Sequence, residues 1–159
     1  MRRRLTVFTG IVLLLLIAAG VTAALPRTVA AGTTTATPTW QVRVTPGVLT
    51  PRFVVEHDDH AAEAVGQRWP GSLQAQPLTF DDRLTDEPAL TAVVGSAPLG
   101  TDSVRITTVE QGVREAQVRL AGWHLVHVEV FEGPVTITEV AAIGDGGEVI
   151  SVLDGDGLG

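Results

Sequence analysis

Cysteine, tyrosine and lysine are absent from the 159-residue chain. Without cysteine there is no disulfide scaffold, no thiolate metal site, no cysteine nucleophile and no lipid-modified amino-terminal cysteine, so a folded domain must hold together by packing. Without lysine there is no phosphate-binding loop of the usual kind. The serines at 72, 96, 103 and 151 stand in no Gly-x-Ser-x-Gly elbow. These absences leave no catalytic residues to nominate, and the expectation is a protein that is not an enzyme.

Charge is scarce before residue 28, where Arg2, Arg3, Arg4 and Arg27 are the only charged side chains. The eighteen acids all follow, against seven arginines, so residues 28–159 carry a net charge of −11. Such a surface repels phosphate backbones and anionic headgroups, which disfavours nucleic acid and peripheral adhesion to a membrane. Cationic ligands, metal ions and basic partner surfaces fit it better.

The uncharged run from Leu5 to Leu25 follows the three arginines. A helix needs roughly 20 apolar residues to cross a hydrocarbon core, and basic residues before it favour a cytoplasmic amino end. Residues 1–25 are therefore expected to be an amino-terminal transmembrane helix, a signal anchor that holds the remainder outside the cytoplasmic membrane. Val21-Thr22-Ala23 also has the small-x-small form of a signal-peptidase site, and cleavage there would give a secreted protein instead. Residues 26–39, rich in Thr, Pro and Ala, read as a flexible stalk.

From Trp40 the dominant period is two, the mark of half-buried strands. Val42 and Val44 alternate with Gln41 and Arg43, and Ala116, Val118 and Leu120 alternate with Glu115, Gln117 and Arg119. Strands are expected at 40–44, 52–56, 78–80, 89–94, 103–109, 113–120, 123–131, 134–142 and 148–153, separated by turn formers such as Gly95 to Gly100 and Asp145-Gly146-Gly147. Asp58 or Asp59 could cap a short helix over 58–68. The predicted fold class is all-β: an antiparallel β-sandwich, immunoglobulin-like or similar, of about seven to nine strands. It spans 40–154, with one short helix and a disordered tail at 155–159.

The order Ala92-Val93-Val94-Gly95-Ser96-Ala97-Pro98, Ser103-Val104-Arg105-Ile106, Gly122-Trp123-His124-Leu125-Val126 and Val140 through Ile150 resembles uncharacterised membrane-anchored β-sandwich proteins of GC-rich bacteria. The resemblance is one of patterning over about the last 65 residues. It implies a tethered domain and transfers no functional residue.

His57-Asp58-Asp59-His60, followed by Glu63, is the densest set of metal-binding side chains. On a helix His57, His60 and Glu63 would rise along one side and could bind a divalent metal such as zinc or copper. The competing reading is a polar loop and helix cap. His124 and His127, three apart on a strand, are expected on opposite faces, one at the core edge and one in solvent near Glu129. The functional expectation is a non-catalytic membrane-tethered interaction or accessory module whose partner is another envelope protein. The alternative is an extracytoplasmic metal-binding protein using His57, His60 and nearby carboxylates.

Overall fold

The computed structural model describes residues 25–33, 39–47, 49–57, 60–66, 71–81 and 88–158. The Leu5–Leu25 run, Leu25 apart, and the Asp58-Asp59 pair lie outside the described residues. Among those described, no helix is long and apolar enough to cross a membrane.

The alternating segments form eleven antiparallel strands in two sheets. The first sheet takes β1 (Arg27–Gly32), β2 (Trp40–Thr45), β3 (Arg52–His57) and β4 (His60–Val65) in chain order. The second contains β5 (Gln76–Asp81), β6 (Pro88–Ala97), β7 (Thr101–Thr108), β8 (Gly112–Ala121), β9 (His124–Glu132), β10 (Ile137–Gly144) and β11 (Val149–Asp154), ordered β11-β10-β7-β8-β9-β6-β5. The fold class is all-β, as the period of two predicts, but with more strands than expected.

Two expectations are corrected by β1 and β4. Six of the fourteen residues of the expected stalk form β1, paired with β2 from Arg27 opposite Val44 to Gly32 opposite Trp40. The helix expected over 58–68 is replaced by β4, paired with β3 from Arg52 opposite Val65 to His57 opposite His60. Alanine-rich segments favour helix only weakly, and tertiary pairing overrides such a preference. Here Ala64 goes into the core beside Phe53. The expected tail is also ordered in part: Gly155–Gly157 form a single 3-10 turn, and Leu158 packs against a core cluster.

The seven-stranded sheet bends at β8. Residues 112–117 of β8 pair with β7, whereas residues 118–121 pair with β9. The bend folds the sheet over, and Val93, Ala97 and Phe131 of the β6–β9 part meet Val104, Ile106, Val140 and Ala142 of the β7–β10 part in one apolar cluster. On the other face of β6, Leu90, Ala92 and Val94 meet Val42, Val44, Phe53 and Val55 of the first sheet. The result is three layers with two cores, and β6 is buried on both faces from Thr91 to Ala97.

Gly95 lies inside β6, not in the turn assigned to it from sequence. A glycine within a strand often marks a close backbone approach, and here the carbonyl of Gln74 crosses directly above it. A Cβ at Gly95 would stand 1.8 Å from that oxygen and 2.6 Å from His127 Nε2. Gly95→Ala is therefore expected to lower unfolding stability by about 3 kcal/mol, as overpacked cores do. Urea denaturation checks this, with a reduced midpoint at unchanged slope as the expected result.

Candidate functional site

The three side chains nominated as metal ligands do not share a face. His57 and His60 are directly opposite across the β3–β4 hairpin, and cross-strand partners point to the same side of a sheet. Glu63 is paired with Val54, so it stands on the other side. His57 is buried against the Phe80 ring, with centroids 5.7 Å apart, and its Nε2 has no hydrogen-bond partner. His60 and Glu63 are exposed. Among the described residues no group of three or more His, Cys, Asp or Glu side chains converges as a metal site.

His124 and His127 do point to opposite faces, but both are buried, because β9 has an apolar layer on each side. This corrects the solvent-facing placement. His124 Nε2 donates to the carbonyl of Gly47 at 3.1 Å, fastening the β2–β3 loop to β9. His127 Nε2 donates to the carbonyl of Gln74 at 2.8 Å, fastening the segment before β5 over Gly95. The donated proton fixes the Nε2–H tautomer and leaves Nδ1 buried without a partner. Both imidazoles thus act as braces between layers.

Where β8 leaves β9 for β7, a cleft of about 210 Å³ opens, lined by Val29, Glu115, Gln117, Arg119, Val128 and Glu129 among others. Burial raises the carboxyl pKa of Glu129 above its ordinary value, and the Arg114 guanidinium, 3.7 Å away, opposes that rise. Arg114 also lies over the Phe131 ring, 5.7 Å from its centroid, and the Gln111 amide donates to the Glu132 carbonyl at 2.6 Å. Arg114 of β8 and Gln111 just before it thereby bridge β8 to β9 beyond the residues where the two strands pair. Glu115 accepts from the Ser103 hydroxyl, and Arg119 donates to the Val29 carbonyl. Every charged group lining the cleft is engaged within the protein, so it offers structure more than ligand chemistry. A second groove, about 360 Å³, runs past Trp40, whose indole lies over Gly32, and past Glu56, which accepts from Gln41 and Arg43.

The free edge of β11 is different. The outer strands of the first sheet are both approached by the second: Arg119 reaches β1, and the Gln74 amide donates to the Val65 carbonyl of β4 at 3.2 Å. No strand among the described residues pairs with the far side of β11. Val149, Ile150 and Val152 are exposed there, and residues 149–153 carry no charge. Register places Val149 opposite Ile143 and Val152 opposite Ala141, so the two valines share the sheet's outer face. Composition did not single out this edge, because its alternation resembles that of any half-buried strand.

No family model matches the chain, and no curated protein or solved structure matches it either.

The buried His127 predicts acid sensitivity. Burial lowers its pKa from 6.5 to about 4, against the opposing effect of the bond to Gln74. The unfolded imidazole takes up a proton near pH 6.5, whereas the folded one stays neutral until about pH 4. Stability is therefore fully present above the unfolded value and is lost as pH falls through this window, by about 3 kcal/mol at most. In His127→Gln, which keeps a donor but does not titrate, the urea midpoint should fall less between pH 6.5 and pH 4. Equal pH dependence in the two proteins would assign the effect to other groups.

Proposed function

We propose that the protein is a non-catalytic, membrane-tethered interaction module on the outer face of the cytoplasmic membrane, holding an extended segment of another envelope protein against β11. The observation that carries this reading is the open, uncharged edge with Val149, Ile150 and Val152 exposed. An unpaired edge presents a row of backbone donors and acceptors, and folded proteins ordinarily cover, shorten or charge such edges. Adding a strand to one gives affinity through main-chain hydrogen bonds and selectivity through alternate side chains. Glu148 and Asp154 flank the uncharged stretch. They favour a partner strand with basic residues at both ends, whereas antiparallel pairing of two copies would set these acids against each other. The tether itself rests on the Leu5–Leu25 run and the arginines before it, and the likeness to membrane-anchored β-sandwich proteins points the same way.

A photo-crosslinking amino acid in place of Val152 should give a discrete adduct in the membrane fraction of intact cells. The same group at Val109, exposed but away from the edge, should give none. Val152→Lys should abolish recovery of that adduct's partner while leaving the circular dichroism unchanged. Repeated absence of an adduct at position 152 would overturn the reading.

A second reading, extracytoplasmic metal binding through His57, His60 and nearby carboxylates, is favoured by the register that pairs the two histidines and by the unpartnered His57 Nε2. In this reading Glu63, on the opposite face, is not a ligand. Titration of the full chain with zinc or copper should show saturable binding that His57→Ala plus His60→Ala removes. Unchanged affinity in that double variant would end the reading.

A further inference from the structure

The large exposed apolar side chains are concentrated at one end of the molecule. Arg27 is opposite Val44, so the described chain begins beside the β2–β3 loop, with Leu25 and, in that loop, Leu49 both exposed. The bond from His124 to Gly47 brings the β8–β9 turn to the same end, and Arg119 reaches Val29 there. That turn, with Gly122 at φ 63°, presents Leu120 at 68% and Trp123 at 72% exposure. Val65 is opposite Arg52 at the start of β3, and Ala97 is opposite Leu125, which sets Leu99 of the β6–β7 turn alongside. Of the remaining large exposed apolar side chains, Val109 and Val113 belong to the β7–β8 end, and Val149, Ile150 and Val152 to the β11 edge.

Charge divides within this end. The segments around Leu25, Leu49, Val65, Leu99 and Trp123, residues 25–30, 45–47, 49–53, 64–66, 97–101 and 117–125, contain Arg27, Arg52 and Arg119 and no acid. Gly144 is opposite Thr101, so the β10–β11 turn with Asp145 and Glu148 reaches the same end beside Asp102, on its third-layer side. Among the described residues, the acid at this end lies on the side formed by β7 and the β10–β11 turn, across from Trp123 and the first sheet.

Position relative to the apolar run decides what covers this surface. The run ends at Leu25 and β1 begins at Arg27, so only Pro26 separates them. Two residues of extended chain reach about 7 Å. With residues 27–32 of the expected stalk taken up into β1, a tethered domain has no spacer between the apolar run and its first strand that could lift this end away from the headgroups.

We propose that this end of the domain, centred on Trp123 and Leu120, rests on the outer leaflet of the bilayer, with the indole and the leucines at the headgroup level and Arg52 against lipid phosphates. Tryptophan suits the interface because its ring is apolar and its N–H is polar, and arginine stems can lie along apolar surface with the guanidinium in water. The contact orients the β11 edge sideways, along the membrane plane. This inference rests on the tethered reading of the protein.

The absence of cysteine makes the test direct. Trp123→Cys and Val113→Cys, at opposite ends of a β8–β9 arm roughly 30 Å long, are each labelled with nitrobenzoxadiazole in the full-length protein. Both are then reconstituted into vesicles of phosphatidylcholine and phosphatidylglycerol. The label at 123 should shift to shorter wavelength and be quenched severalfold less by aqueous iodide than the label at 113. Equal quenching in vesicles that retain the protein would overturn the lipid contact and leave the tether intact. Failure of the unlabelled full chain to float with the vesicles would remove the tethered reading, and the contact with it. Shielding at 123 that disappears as the protein is diluted at fixed lipid would assign the end to a second copy of the chain, again overturning the proposal.

Discussion

Strand β6 is pressed between two apolar layers, and the other strands take their places around it. A strand covered on both faces cannot alternate apolar and polar side chains, and Leu90 to Ala97 accordingly carries no charge. It must also be thin where another backbone passes over it. Gly95 supplies the thin point, the Gln74 carbonyl occupies it, and His127 from β9 supplies the donor. The glycine without its imidazole would leave a buried carbonyl unpaired, and the imidazole without the glycine would have no room. A domain without disulfides thus joins its two cores through a strand common to both and through buried histidines that brace one layer to the next.

Much of this was legible in the residues. The strands with one wet face, such as β2 and the first half of β8, carry a clean period of two, and the turn formers between the later strands set their limits to within a few residues. The failures share a cause, which is that local signals were overridden by the layers packed around them. Asp58, Asp59 and the alanines that follow have the composition of a capped helix, yet Ala62 and Ala64 are needed to cover Val55 and Phe53. Thr28, Val29 and Ala30 show no periodicity because β1 buries little beyond Val29. His127 and Glu129 look like the wet face of β9, and a sheet that folds over at β8 turns that face into a second interior.

The nominated metal site shows the same dependence on backbone period. His57, His60 and Glu63 line one side of a helix but divide between two faces of a strand. The constellation existed only under the helical reading. What the strand brings together instead is one buried and one exposed imidazole at the end of a hairpin. No spacing rule could have found the apolar end, since Leu25, Leu49, Val65, Leu99, Leu120 and Trp123 come from five separate stretches that only the topology assembles.

Conversion of the stalk into β1 changes what a tether would do to the domain. A flexible spacer isolates a fold from forces at the membrane, whereas a strand that begins two residues after the apolar run transmits them. Force on Leu25 would load β1, which is held by its ladder to β2 and by the Arg119 guanidinium on the Val29 carbonyl. Arg119 lies in the half of β8 that pairs with β9, and β9 pairs with β6. The load would therefore pass from an edge strand to the doubly buried centre by way of one arginine and two ladders. Rotation of the domain about its attachment would be limited by the same contacts, because β1 cannot swivel without leaving β2. Under the proposed function, an edge strand that meets its partner at a fixed height and direction would need that restriction, and a free threonine-rich stalk could not provide it.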